Sequence, residues 1–216
     1  MIAEELISDH IIPLKKSDLC EAACDFMMAE NITVMPVVEQ NKLLGYLYLN
    51  KAARDKNKTV VEQMDTNAFF VFDKTHLFDV SKVMHDYGVS TIAVCDEHQS
   101  YKGAIALTDL LRAYTQDSAN SLPGAIVTIQ INARDYTLTE IARISETNNF
   151  KVIGIFTKSL ADNKLEVNIK FNSTEINTLL HAFERFGYQI KAVHQLSEVR
   201  GGLDNRFDWL IKYMNT

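Results

Sequence analysis

The stretch GAIALTDLLRAY, residues 103–114, is apolar except for one carboxylate, Asp109, with Thr108 before it and Arg112 one helical turn beyond. An ionised carboxylate at a strand-to-helix junction can accept both hydrogens of a vicinal diol. A helix N-terminus beside it favours a phosphate, which an arginine can also meet. The same aspartate, next to an apolar run, is also an ordinary helix-capping signal, and that role alone would account for it. A second stretch, GYLYLNKAARD from Gly45, has the same shape but carries Lys51 where Asp109 falls and Tyr48 where Ala106 falls. A lysine has no acceptor, so the two junctions are not chemically equivalent.

Other chemistry finds little support. The chain has no G-x-S-x-G elbow, P-loop, G-x-G-x-x-G or clustered acid pair after a strand, so no catalytic residue is assigned and a non-enzymatic protein is expected. The six histidines are scattered without ligand spacing. Cys20 and Cys24 lie one helical turn apart and Cys95 ends an apolar strand, which reads as reduced, buried thiols, with no metal expected. A formal charge of −6 over 216 residues, with no lysine or arginine cluster, argues against a nucleic-acid partner. The start MIAEELISDHII lacks the basic and apolar regions of a signal peptide, and no apolar run is long enough to cross a bilayer. A cytoplasmic protein that does not touch membranes is expected.

The elements that must position Asp109 come from an internal repeat. Residues 12–54 align on 69–112 with a shift of 57 that becomes 58 after a one-residue loop insertion. Each copy has an extended opening (IIPLKKSD; FFVFDKTH), an amphipathic helix (LCEAACDFMMAEN; LFDVSKVMHDYG) and a buried-type strand (ITVMPVVE; VSTIAVCD). A second strand opening at Gly45 or Gly103 and a closing helix complete it. This is an α/β pattern. Two such units cannot cover their strands alone and should close on one another, leaving clefts between the copies.

The duplicated order, with ITVMPVV, VSTIAVCD and the glycine-to-aspartate ending, resembles a CBS-domain pair, the Bateman module, over about residues 1–117 (repeats near 1–58 and 59–117). The resemblance implies that an adenosine-containing ligand of the AMP, ADP, ATP, NAD or S-adenosylmethionine class lies between the copies as a regulatory ligand rather than a cofactor. It implies nucleotide-binding roles for Asp109 at the ribose, for Thr108 and Arg112, and for Ile12, Pro13, Thr33, Val34, Met35 and Pro36 from the first copy. It also implies a homodimer. The family's Ser or Thr position is Ala106 here, and the opposite cleft should be empty, filled by Tyr48, or bound to something else through Lys51. The rival reading is an interaction module with vestigial clefts that scaffolds a partner.

SANSLPG, residues 118–124, marks the domain boundary, with the linker over 118–123. Residues 124–199 then read β-α-β-β-α-β, the order of a ferredoxin-like fold, and look like an ACT-type domain, a family that often binds amino acids. The loop ARDYTL, without a glycine, makes pairing or transmission the favoured role over amino-acid sensing. A closing helix over 200–216 should present Leu203, Phe207, Leu210 and Met214 on one face, after RGG as a helix-start turn.

Overall fold

In the first repeat, the valine-rich β1 (Val34–Glu39) turns back through Gln40 and Asn41, both at positive φ, into the antiparallel β2 (Lys42–Tyr48). Helix α1 (Cys20–Ala29) precedes this hairpin, and the four-residue α2 (Leu49–Ala52) follows it. After a further short helix, α3 (Val60–Gln63), the second repeat repeats the plan. A strand β3 (Phe70–Phe72), helix α4 (Leu77–Tyr87), the hairpin β4 (Thr91–Cys95) and β5 (Tyr101–Ala106), and helix α5 (Leu107–Gln116) succeed one another. Strand β3 pairs parallel with β4, whereas its counterpart in the first repeat is a single parallel bridge, Leu14 to Val37. This computed structural model describes residues 1–116 and 121–195. The helix expected over 200–216, and the first half of the expected 118–123 linker, lie outside the described residues.

The second strands start before their glycines, at Lys42 and Tyr101, so Gly45 and Gly103 are interior to them, opposite register shifts in the hairpins. What needs them is close approach. A Cβ on Gly45, whose φ is +151°, would run into the backbone oxygen of Asp65, and one on Gly103 would strike the side chain of Ile7. Two short lead-ins, a 3₁₀ turn at Ala3–Leu6 and α3, stand 57 residues apart, and each precedes one repeat while packing on the other. Ala3 N–H donates to Thr75 O and Ser8 N–H to Ala104 O, both at 2.8 Å, while Asp65 and Tyr46 exchange backbone bonds of 2.7 and 2.8 Å.

The cores are shared in the same way. Val34 and Tyr46 of the first repeat join the cluster built on Val80, Ile92 and Ile105, and Ala104 and Ala106 of the second join that of Met27, Met35 and Leu47. Tyr46 is fully buried and stacks on Phe69 at 4.3 Å, which in turn stacks on Tyr87 at 4.2 Å. Its hydroxyl donates to Phe69 O (2.7 Å) and accepts from Ala93 N–H (2.9 Å), so one phenol satisfies two backbone groups of the opposite repeat.

The chain divides into two units, Met1–Thr115 and Gln116–Thr216. In the second, β6 (Ala125–Asn132), α6 (Leu138–Thr147), β7 (Val152–Ser159), β8 (Lys164–Phe171), α7 (Asn177–Arg185) and β9 (Gln189–Gln195) follow in order. The sheet runs β7-β8-β6-β9 with all pairs antiparallel, the ferredoxin-like arrangement. Val127, Ile129, Val167 and Ile169 alternate inward against Ile144 and Phe183 of the two helices.

Tyr46→Phe keeps the ring and strands Phe69 O and Ala93 N–H in the core, so unfolding free energy should fall by about 1–3 kcal/mol. Urea denaturation of the full chain checks this; an unchanged midpoint would contradict the bridging role. Burial pushes the Cys95 thiol up to about 11 and the Tyr101 phenol well above its usual range. Above about pH 9 the unfolded chain therefore loses protons that the native protein keeps, and stability should fall as pH rises, which thermal midpoints between about pH 8 and pH 10.5 would register.

Candidate ligand-binding site

Helix α5 begins at Leu107, whose N–H donates to Ser90 O at 2.9 Å, so Asp109 is the third helical residue and lies inside the first turn rather than at the cap. Its side chain is about 10% exposed. Ser8 Oγ donates to Asp109 Oδ2, and Arg112 Nη1 donates to Oδ1 at 2.8 Å. Each carboxylate oxygen keeps a further lone pair. Beside it opens a cleft of about 490 Å³, lined by Thr108, Leu111 and Arg112 of α5 and by His10, Glu30 and Ile32 of the first repeat. His10 Nε2 is 3.8 Å from Glu30, and its Nδ1 is 3.3 Å from Ser8 Oγ. A polar chain therefore runs Glu30, His10, Ser8, Asp109, Arg112. Serine, histidine and aspartate here do not form a hydrolytic triad, because the serine hydroxyl is directed to the carboxylate, which orients no imidazole.

Of the residues expected at the ligand, Asp109, Thr108 and Arg112 are brought together. Ile12, Pro13 and Met35 line a separate apolar groove of about 360 Å³ with Leu19 and Phe26, and Ile12 is 73% exposed. The two hollows flank one stretch of chain, since His10 and Ile12 are two residues apart and Phe26 of α1 lies four residues before Glu30, the cap of that helix. Thr33 donates to Ser90 Oγ from both its N–H and its hydroxyl, at 2.9 Å each. These two residues are counterparts under the repeat, so they meet at its centre. Val34 is enclosed in the second-repeat core, and Pro36 is buried in β1 with its carbonyl accepting from Leu14 N–H. Ser8, His10 and Glu30 were missed. The signal for Ser8 was the shift of 57 that pairs it with Asp65, in lead-ins upstream of each aligned copy.

At the other junction Lys51 Nζ is 3.4 Å from Asp65 Oδ2 and 5.8 Å from the Tyr48 ring centre. The Asn67 N–H, and after it Lys51, hold the Asp65 carboxyl below its usual range. Lys51 corresponds to Asp109 and Asp65 to Ser8, so the acid has moved to the opposite partner and the pair closes on itself. Within the second unit, Asp135, Glu140, Lys164 and Tyr188 line a cavity of about 320 Å³. Burial, and the bond Tyr188 donates to Glu140 at 3.0 Å, push that phenol up to about 12.

Among the described residues no group of His, Cys, Asp and Glu is placed to hold a metal ion, and no helix is long and apolar enough to cross a membrane. The CBS-domain family model matches residues 3–54 and 58–116, just over half of the chain. The chain belongs to the CBS-domain family. Among solved structures, the cytosolic domain of the magnesium channel MgtE in complex with ATP is 23% identical with a TM-score of 0.45. That alignment covers 52% of this chain, which spans only 48% of the channel domain. A CBS domain pair/ACT domain protein of Thermotoga maritima is 17% identical, with 54% of this chain and 98% of that one covered and a TM-score of 0.48. A Vibrio cholerae protein assigned to acetoin utilization is 20% identical over 53% of this chain and 90% of that one, with a TM-score of 0.47.

In the CBS pair the two polar contacts should differ in strength. Ser8→Ala removes a nearly buried bond to a carboxylate and should cost about 1.5–3 kcal/mol. Lys51→Ala removes an exposed ion pair and should cost under about 1 kcal/mol. Urea unfolding of both variants decides; equal losses would refute the contrast.

Proposed function

We propose that the CBS pair is a regulatory, non-enzymatic sensor of an adenosine-containing ligand, of the AMP, ADP, ATP, NAD or S-adenosylmethionine class, bound beside Asp109. The observation carrying this reading is the nearly buried Asp109 carboxylate, bonded at 2.8 Å to Arg112, which with Thr108 lines a cleft built from both repeats. The ribose diol would use the lone pairs that Ser8 and Arg112 leave free, with Thr108 at its rim. The ligand would touch α5 of one repeat and His10 and the Glu30 cap of α1 in the other, and so favour one relative arrangement, by no more than its difference in affinity for the two. A cytoplasmic homodimer, with the second unit serving as an ACT-type pairing or relay domain, completes the reading.

The same geometry favours one rival. Both Asp109 oxygens already have protein partners, and Lys51 is paired with Asp65. An interaction module with vestigial clefts would look like this. Thermal shift of the full chain with AMP, ADP, ATP, NAD and S-adenosylmethionine separates the two. A sensor gains about 2.7 kcal/mol at a hundredfold excess over Kd, and Asp109→Ala abolishes the gain. Indifference to all five ligands, with no small molecule co-purifying by mass spectrometry, would leave the scaffold.

A further inference from the structure

We infer that the cleft beside Asp109 selects adenosine ligands without phosphate, neutral or cationic at the 5′ position, over nucleotides. This rests on the reading that a ribose diol meets Asp109, and it follows from the charges that surround the diol. The lining supplies one carboxylate, Glu30, and one guanidinium, Arg112, with His10 between Glu30 and Ser8. Asp109, not itself a lining residue but held against Arg112 at 2.8 Å, adds a second carboxylate, so counted with it and with histidine neutral the formal charge is −1. The guanidinium is already bonded to Asp109 at 2.8 Å, and among the described residues no lysine lines the cleft. The lysine at the equivalent junction, Lys51, is paired with Asp65 and belongs to the other cleft.

The positive end of α5 does not redress this balance. Its first N–H is taken by Ser90 O, and Asp109 stands within the first turn, where a carboxylate offsets the helix dipole. A phosphate on the 5′ carbon would enter between Glu30 and an arginine held by another acid. A sulfonium or a plain thioether at that carbon meets no such opposition, and a positive charge there is drawn to Glu30. One like-charge contact in a partly exposed cleft weakens binding by about five- to tenfold, and each further phosphate charge adds to it.

Isothermal titration of the full chain near physiological ionic strength, with adenosine, 5′-methylthioadenosine, S-adenosylmethionine, AMP, ADP and ATP, tests the selectivity. Adenosine, the thioether and the sulfonium should bind about tenfold or more tightly than AMP, with ATP weaker still. Glu30→Gln should narrow the adenosine-to-AMP ratio by about fivefold, and added salt should narrow it too. AMP or ATP binding as tightly as adenosine, and lost in Asp109→Ala, would overturn the selectivity while leaving the adenosyl site in place. A ratio that Glu30→Gln leaves unchanged would also overturn it. Binding by none of the six would overturn both readings.

Discussion

Two glycines with nothing over them but the other repeat's backbone or side chain hold the first unit together. Asp65 lies against Gly45 and Ile7 against Gly103, so each lead-in crosses to the copy it does not belong to. Any Cβ at either place would push the lead-in away. With the lead-ins crossed, each repeat's core is completed by residues of the other. The duplication therefore folds as one body, and its clefts are formed by residues far apart in sequence. Tyr46 strengthens the exchange on one side only, because its counterpart is the small Ala104. The two halves are accordingly alike in path and unlike in packing.

The same crossing decides what each cleft can do. It delivers residue 8 to residue 109 and residue 65 to residue 51, and the side chains at those four places set the charge. Asp109 accepts from Ser8 on one oxygen and pairs with Arg112 through the other. Lys51 with Asp65 leaves a self-neutralised pair, and Asn67 takes the second acid oxygen. Each acid accepts one bond on each oxygen and pairs with one cation, and the two differ in burial, Asp109 being about 10% exposed and Asp65 about 43%. In either cleft, a ligand that takes the cation would have to break an ion pair first. Divergence after duplication here consists of exchanging charge between the two members of a contact, with the backbone kept.

Much of the fold was legible in the residues. The valine and isoleucine strands, the helical spacing of α1 and α4 and the β-α-β-β-α-β order of the second unit all follow from periodicity, because burial imposes it on long elements. The lead-ins were not legible. Ala3–Leu6 and Val60–Gln63 are four residues each, too short for a period to show, and beyond their own capping boxes their first backbone N–H groups are met by the other repeat. The strand starts at Lys42 and Tyr101 were missed because a glycine reads as a boundary when nothing in the sequence shows the backbone that must pass over it. At the site, Asp109, Thr108 and Arg112 share one helical turn and could be grouped from spacing. Ile12, Pro13 and Met35 turn into a different groove, since the direction of an extended segment is set by what it packs against. Ser8 lay outside the aligned copies altogether.

A ligand in the Asp109 cleft would act on a contact that already has its own counterweight. Ser8 belongs to the lead-in that crosses from one repeat to the other, and its backbone is held by Ala104 while its side chain is held by Asp109. If a diol shares the carboxylate, Ser8 stays and the ligand only adds to the closed arrangement, giving stabilisation without movement. If it displaces Ser8, the bond lost between lead-in and α5 is of the same size as the one gained, and the crossing itself loosens. The net effect on the pair is then the difference between two similar hydrogen bonds to one anion. What remains to drive a change of arrangement is the ligand's contact with Glu30, His10 and the end of α1. On these grounds the polar chain from Glu30 to Arg112, and not the aspartate alone, is the element through which binding would reach the rest of the molecule.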